Sequence, residues 1–165
     1  MEICILNTQI VQTFSDGKTI YSVDMMFAYI SVFKPRSRKV KVESYEKTLD
    51  FDGWGDPSKG VKYSAKDVLE TPSKFKDEIN RIEKADMRFP IIVTSKGHVV
   101  DGVHRITKAV MQGMKTIRAY IFDDETMRKF VINRNGDWKK VHAMRTDNFI
   151  SLFCNRFCID FKNKI

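Results

Sequence analysis

Residues 89–110 read Phe-Pro-Ile-Ile-Val-Thr-Ser-Lys-Gly-His-Val-Val-Asp-Gly-Val-His-Arg-Ile-Thr-Lys-Ala-Val, and no other stretch of the chain limits its folding as tightly. Residues 91–93 form a β-branched apolar run behind Pro90, which predicts a strand. Ser95-Lys96-Gly97 has the length and chemistry of a hairpin turn. Val99 and Val100 predict a second short strand. Asp101-Gly102 breaks it, and Val103, Ile106 and Val110 then recur at helical spacing. A strand therefore runs into a glycine turn, and the turn opens a helix.

That junction carries chemistry. The first backbone N–H groups of a helix have no partner within it. They sit at the positive end of the helix dipole, where anions bind. Gly102 lets a ligand approach the backbone. His104 and Arg105 fall in the first turn and lean toward the helix N-terminus. Arg105 can grip an anion with its planar fork, and His104 can donate to it or move a proton. Two cationic side chains at this end oppose the dipole, so something negative should offset them. Asp101, as a helix cap paired with Arg105, is one candidate; a bound phosphate is the other.

The pattern Pro-Ile-Ile-Val, short turn, Val-Val-Asp-Gly, Val103, His-Arg and helix resembles the core motif of the ParB/sulfiredoxin superfamily. The match spans residues 89–122 and continues into the strand at 116–122. Members include chromosome-partitioning CTP switches, sulfiredoxins, free-serine kinases and domains labelled ParB-like nucleases. The Asp-Gly-x-His-Arg version is similar to the kinase-like and nuclease-labelled branches. The resemblance implies an α+β fold, with a small mixed sheet and flanking helices. It also implies that Gly102, Val103, His104 and Arg105 hold a phosphate or nucleotide, ATP or CTP with Mg²⁺. Sulfiredoxins place their catalytic Cys where this chain has Val103, so sulfiredoxin activity is not expected.

The 165 residues are enough for one domain with a real core, and a single domain over 1–165 is the expectation. No apolar run approaches the ~20 residues of a membrane span, and the N-terminus lacks a secretion signal's pattern. An intracellular, cytoplasmic protein without membrane partners is the expectation. Three Cys, at 4, 154 and 158, are too few for a disulfide framework and lack zinc-site spacing, so reduced thiols are expected. The net charge of +8 suits polyanionic partners without choosing among them.

Elsewhere the pattern predicts opening strands within 1–13, a strand at 19–23, and a helix at 25–33 capped by Asp24. A strand is expected at 38–43. Residues 50–60 form a long irregular loop holding Trp54, whose Asp50, Asp52 or Asp56 could serve as base or metal ligand. Ser64 and Asp67 form a capping box for a helix at 65–70. Thr71-Pro72 should start another helix running to about Ala85. Further helices are expected at 124–132 and 147–161. The aromatic C-terminal helix either docks on the core or pairs two copies of the chain.

The leading functional expectation is a protein that binds a nucleotide or phosphorylated small molecule, suited to phosphoryl transfer or NTP hydrolysis. Arg105 would neutralise phosphate charge, His104 would donate, and Asp101 would orient His104 or help hold Mg²⁺. Glu43 or Asp52 would activate the acceptor. A second expectation is a nucleic-acid-binding, nuclease-like protein. It would contact DNA or RNA without sequence specificity through Lys34, Arg36, Arg38, Lys39 and Lys41. A third is a catalytically silent adaptor.

Overall fold

The structure, a computed structural model, describes residues 12–56 and 59–157. In chain order the elements are β1 (Thr13–Ser15), β2 (Ile20–Ser22), α1 (Val23–Phe33), β3 (Arg38–Lys41) and a 3-10 segment (Val42–Asp50). Next come β4 (Trp54–Asp56), β5 (Val61–Tyr63), α2 (Ala65–Glu70), α3 (Lys76–Lys84), β6 (Ile91–Thr94), β7 (Val99–Asp101) and α4 (Val103–Met111). The chain finishes with β8 (Thr116–Phe122), α5 (Asp124–Lys129), β9 (Val131–Asn133), α6 (Trp138–His142) and α7 (Thr146–Phe157). The architecture is mixed α+β, with small sheets and several helices. Contacts gather in two compact units, one from residues up to 34 together with those from 124 on, the other from 35–123.

In the first unit, β1, β2 and β9 make an antiparallel sheet in that order. Its apolar centre is aromatic. Fully buried Phe130 meets Tyr29 of α1 edge-on at 5.6 Å, and Phe157 of α7 lies 5.8 Å from Phe130 and 5.3 Å from Tyr29. Such ring pairs add to the stabilisation that burial alone supplies. Arg156 ties α7 to the same unit by donating to the carbonyl oxygens of Lys129 and Val131.

The second unit holds a four-stranded sheet of order β3-β8-β6-β7 and a separate β4-β5 hairpin. β6 pairs antiparallel with β7 and parallel with β8, Ile91 standing opposite Ala119 and Val93 opposite Ile121. All four residues of β6 are buried, so an unbroken Ile-Ile-Val-Thr run was needed rather than an alternating one. α4 joins β7 to β8 and lays Ile106 and Ala109 against Ile91, Val93, Ile117 and Ala119. Val42, Tyr45 and Leu49 of the 3-10 segment complete that core. Gly113, at φ +62°, ends the connection behind α4, its N–H bonded to the Val110 carbonyl.

Several expected boundaries move. Ser22, not Asp24, caps α1, its hydroxyl accepting from the Met25 N–H 3.1 Å away. The strand at 38–43 stops at Lys41, and the chain coils tightly to Asp50. Thr71-Pro72 makes turns and α3 begins only at Lys76. The helix expected through 132 ends at Lys129, and Val131–Asn133 pairs with β2 instead. The loop at 50–60 holds a short strand, β4, which pairs antiparallel with β5 just beyond it. The capping box holds: Ser64 Oγ accepts from the Asp67 N–H at 3.1 Å, and Asp67 accepts from the Ser64 N–H at 2.7 Å. Expected strands within 1–11, and the helical tail beyond 157, lie outside the described residues.

α3 is clipped to α4 by one side chain. Lys108 Nζ donates to the carbonyl oxygens of Glu83 at 2.6 Å and Ala85 at 2.8 Å. A cation thus meets the negative end of α3 and satisfies carbonyls that the helix leaves unpaired. Lys108→Met keeps the aliphatic stem and removes the donor. It should lower the free energy of urea-induced unfolding by about 1–2 kcal/mol; an unchanged midpoint and slope would show the clip to be idle.

Candidate functional site

The site begins with backbone geometry. Gly102 stands between β7 and α4 at φ +109°, a conformation open to glycine and strained for other residues. Space makes the same demand, since an added Cβ would come within 2.5 Å of Ile91 Cγ2 and 3.0 Å of the Arg105 guanidinium. Gly102 is the N-cap of α4, and no side chain caps this end. The Asp101 carboxylate pairs with Arg105 as expected, but it does not cap the helix. The helical ladder starts where the Ile106 N–H reaches the Gly102 carbonyl at 3.0 Å, so the N–H groups of residues 103–105 lie above it.

This end of α4 opens on a cleft of about 580 Å³, lined by residues 100–105, by Trp54 and by Arg81, Lys84, Ala85 and Asp86. Asp101, Gly102, Val103, His104 and Arg105 are therefore gathered at one place, as the spacing led one to expect. Arg105 is mostly buried and paired with Asp101, yet its Nε is buried with no hydrogen-bond partner. An unmet buried donor is uncommon in a folded protein. Lys84 makes no ion pair among the described residues. Asp86 is engaged by Arg88, whose guanidinium and backbone N–H hold its carboxyl at about 2. The cleft thus presents one unpaired ammonium and one partly satisfied guanidinium beside free backbone donors.

His104 is held on two sides. Its Nε2 lies 3.2 Å from Glu78 Oε2, and its ring stacks on Trp54, with centroids 4.6 Å apart and planes 17° from parallel. Only 12% of the Glu78 side chain is exposed. Its other oxygen accepts from Arg81 at 3.0 Å and from the Tyr63 hydroxyl at 3.2 Å. Burial first, and then the charge of Glu78, push the Tyr63 phenol above its usual range, so Tyr63 stays a donor. α3, the β4-β5 hairpin and α4 therefore converge on a single carboxylate.

The two acceptor-activating candidates fall elsewhere. Glu43 is exposed and pairs with Lys41 at 3.3 Å, Asp52 is exposed ahead of β4, and neither lines the cleft. Asp50 is taken up by Lys66 at 3.0 Å, and the Asp56 side chain lies outside the described residues. Of the basic residues, Arg38, Lys39 and Lys41 ride on the edge strand β3, Arg36 precedes it, and Lys34 closes α1 in the first unit. Cys154 is a free thiol on α7, and Cys4 and Cys158 lie outside the described residues. Among the described residues, no group of three or more His, Cys, Asp or Glu is placed to hold a metal, and no helix is long and apolar enough to cross a membrane.

Glu78, Tyr63, Arg81 and Lys84 were missed from the sequence. Glu78 and Arg81 carried a weak signal, as an acidic and a basic residue three apart on an amphipathic helix. Nothing local linked them to His104. No protein-family model, curated protein or solved structure matches this chain.

Gly102→Ala tests the junction. A methyl group pressed on Ile91 at positive φ should cost about 2 kcal/mol or more of unfolding free energy. Chemical denaturation reads this directly, and a loss below about 0.5 kcal/mol would mean that the turn relaxes freely.

Proposed function

We propose that the cleft at residues 102–105 binds the phosphate groups of a nucleotide or of another phosphorylated small molecule. One observation supports this above the others: the uncapped, glycine-opened N-terminus of α4 faces a cleft whose cations are not fully paired. Backbone N–H groups and helix dipole favour a phosphate there. Arg105 and Lys84 add charge, and the unmet Nε of Arg105 is a donor that an anion's oxygen could satisfy once the side chain shifts. ATP or CTP is the nucleotide proposed, and Mg²⁺ would arrive with the triphosphate, held chiefly by phosphate oxygens and water. Asp101 could join it only by releasing Arg105.

The reaction such a cleft suits is phosphoryl transfer or NTP hydrolysis, in which positioning and electrostatics supply most of the acceleration. Arg105 and Lys84 would offset charge on the phosphates, and His104 would donate to them. Glu43 and Asp52, which lie away from the cleft, have no place in this reading, and Glu78 reaches the site only through His104. The motif at 89–122, which resembles the core of the ParB/sulfiredoxin superfamily, favours the same reading.

A nucleic-acid reading has its own observation. Lys39 of the edge strand β3 stands opposite Arg118 of its inner neighbour β8, and both are exposed. One experiment separates the two. ATP, CTP and duplex DNA are titrated in parallel at low and at physiological salt, on the native chain, on Arg105→Ala and on the Lys39→Ala/Arg118→Ala pair. Nucleotide affinity should fall more than about tenfold in Arg105→Ala while the chain stays folded. DNA binding should be weak, steeply salt-dependent and sensitive only to the pair. Undiminished nucleotide binding in Arg105→Ala would place the ligand elsewhere.

A further inference from the structure

Resting on the phosphate cleft proposed above, we infer that Glu78 is a positioning residue that makes His104 take up a proton when an anion binds. A carboxylate accepts hydrogen bonds and cannot donate them. The 3.2 Å contact with Glu78 therefore puts the ring proton of His104 on Nε2. In the neutral ring this leaves Nδ1 as a bare lone pair. His104 lines the cleft, and Nδ1 is the ring nitrogen left to meet a ligand.

An oxygen of a fully ionised anion has no proton to share. Set against a bare Nδ1, it meets lone pair with lone pair. The ring becomes a donor to the anion only by gaining a proton at Nδ1, with the Nε2–H still directed at Glu78. Groups of both signs face the cation so formed. Glu78 is the one acid within hydrogen-bond reach of the ring among the described residues. The face of Trp54 lies parallel to the ring at 4.6 Å, where a cation is attracted to the indole π-system. Opposing charges come from Arg81 on α3, already bonded to Glu78, from Arg105 on the same helix, bonded to Asp101, and from Lys84 across the cleft. The bound anion offsets the last two.

Replacing Glu78 with Gln gives a specific outcome. Tyr63 and Arg81 both donate to Oε1. An amide satisfies them by turning its single oxygen that way, which leaves its –NH₂ facing His104. Nε2 must then accept, and the ring proton moves to Nδ1. A neutral ring carrying Nδ1–H donates to an anion at once and needs no further proton. The charge-removing change should thus uncouple anion binding from protonation instead of abolishing binding.

The test is ¹⁵N NMR of the imidazole nitrogens, with His104 identified by its loss in His104→Asn. Sulfate is the probe, because it has the shape of phosphate and carries no proton near neutrality. At a pH of about 7.5 the native His104 should show the neutral Nε2–H form, and saturating sulfate should protonate both nitrogens. Glu78→Gln should show the Nδ1–H form before and after sulfate. A native ring that keeps one proton while sulfate shifts the backbone amides of 103–105 would overturn the coupling and leave the phosphate cleft standing. Sulfate that moves neither ring nor amides would overturn both. An Nδ1–H form in the native chain, or the same tautomer in both proteins, would overturn the role of Glu78. The native arm decides the coupling even if Glu78→Gln does not fold.

Discussion

Ile91 Cγ2 occupies the space that the Cβ of any other residue at position 102 would need, and much of the second unit depends on that contact. Because β6 and the start of α4 press together there, the chain can turn from β7 into the helix only at positive φ. The same packing brings the first turn of α4 over a sheet whose central strand is buried on both faces. The helix end is left with no side-chain cap. Glycine at 102 thus joins two demands usually met separately, a left-handed turn and close packing of a helix on a strand. The exposed backbone donors are a by-product of meeting both.

Around that end, the second unit is tied together by polar groups more than by apolar contact. Lys108 holds the last carbonyls of α3, and Glu78 gathers donors from β5, α3 and α4. Three donors meet on one carboxylate, and the arrangement is all-or-none in character: removing a donor leaves charge poorly matched in a half-dry setting. Trp54 adds a flat wall that restrains the plane of the His104 ring. Side chains from three separate segments therefore set the orientation of one imidazole, which is the kind of support a preorganised site requires.

What could be read in advance follows physical range. The stretch at 89–122 was legible because its signals are local: an apolar strand, a glycine turn, a helical period and a glycine stop. Gathering residues 101–105 at a helix start needed nothing beyond that. The capping box at Ser64 and Asp67 was legible for the same reason. Glu78 was not, since its contact with His104 spans 26 residues and exists only once α3 lies on α4. Phe130-Val131-Ile132 continued the preceding helix as plausibly as it formed a strand; pairing with β2, a tertiary event, decided it. The 3-10 coil after Lys41 was hidden because Val42, Tyr45 and Leu49, which it buries, also suit a strand followed by a loop. For Asp101 the pairing with Arg105, four residues on, was legible, but that bond takes up the carboxylate and leaves the helix end uncapped.

A crystal structure of the protein with a non-hydrolysable nucleoside triphosphate tests the central claim most directly. Phosphate oxygens should lie within about 3 Å of the amide nitrogens of residues 103–105, with Arg105 and Lys84 turned toward them. Triphosphate density bound away from the cleft, with the first turn of α4 left bare at saturating ligand, would contradict it.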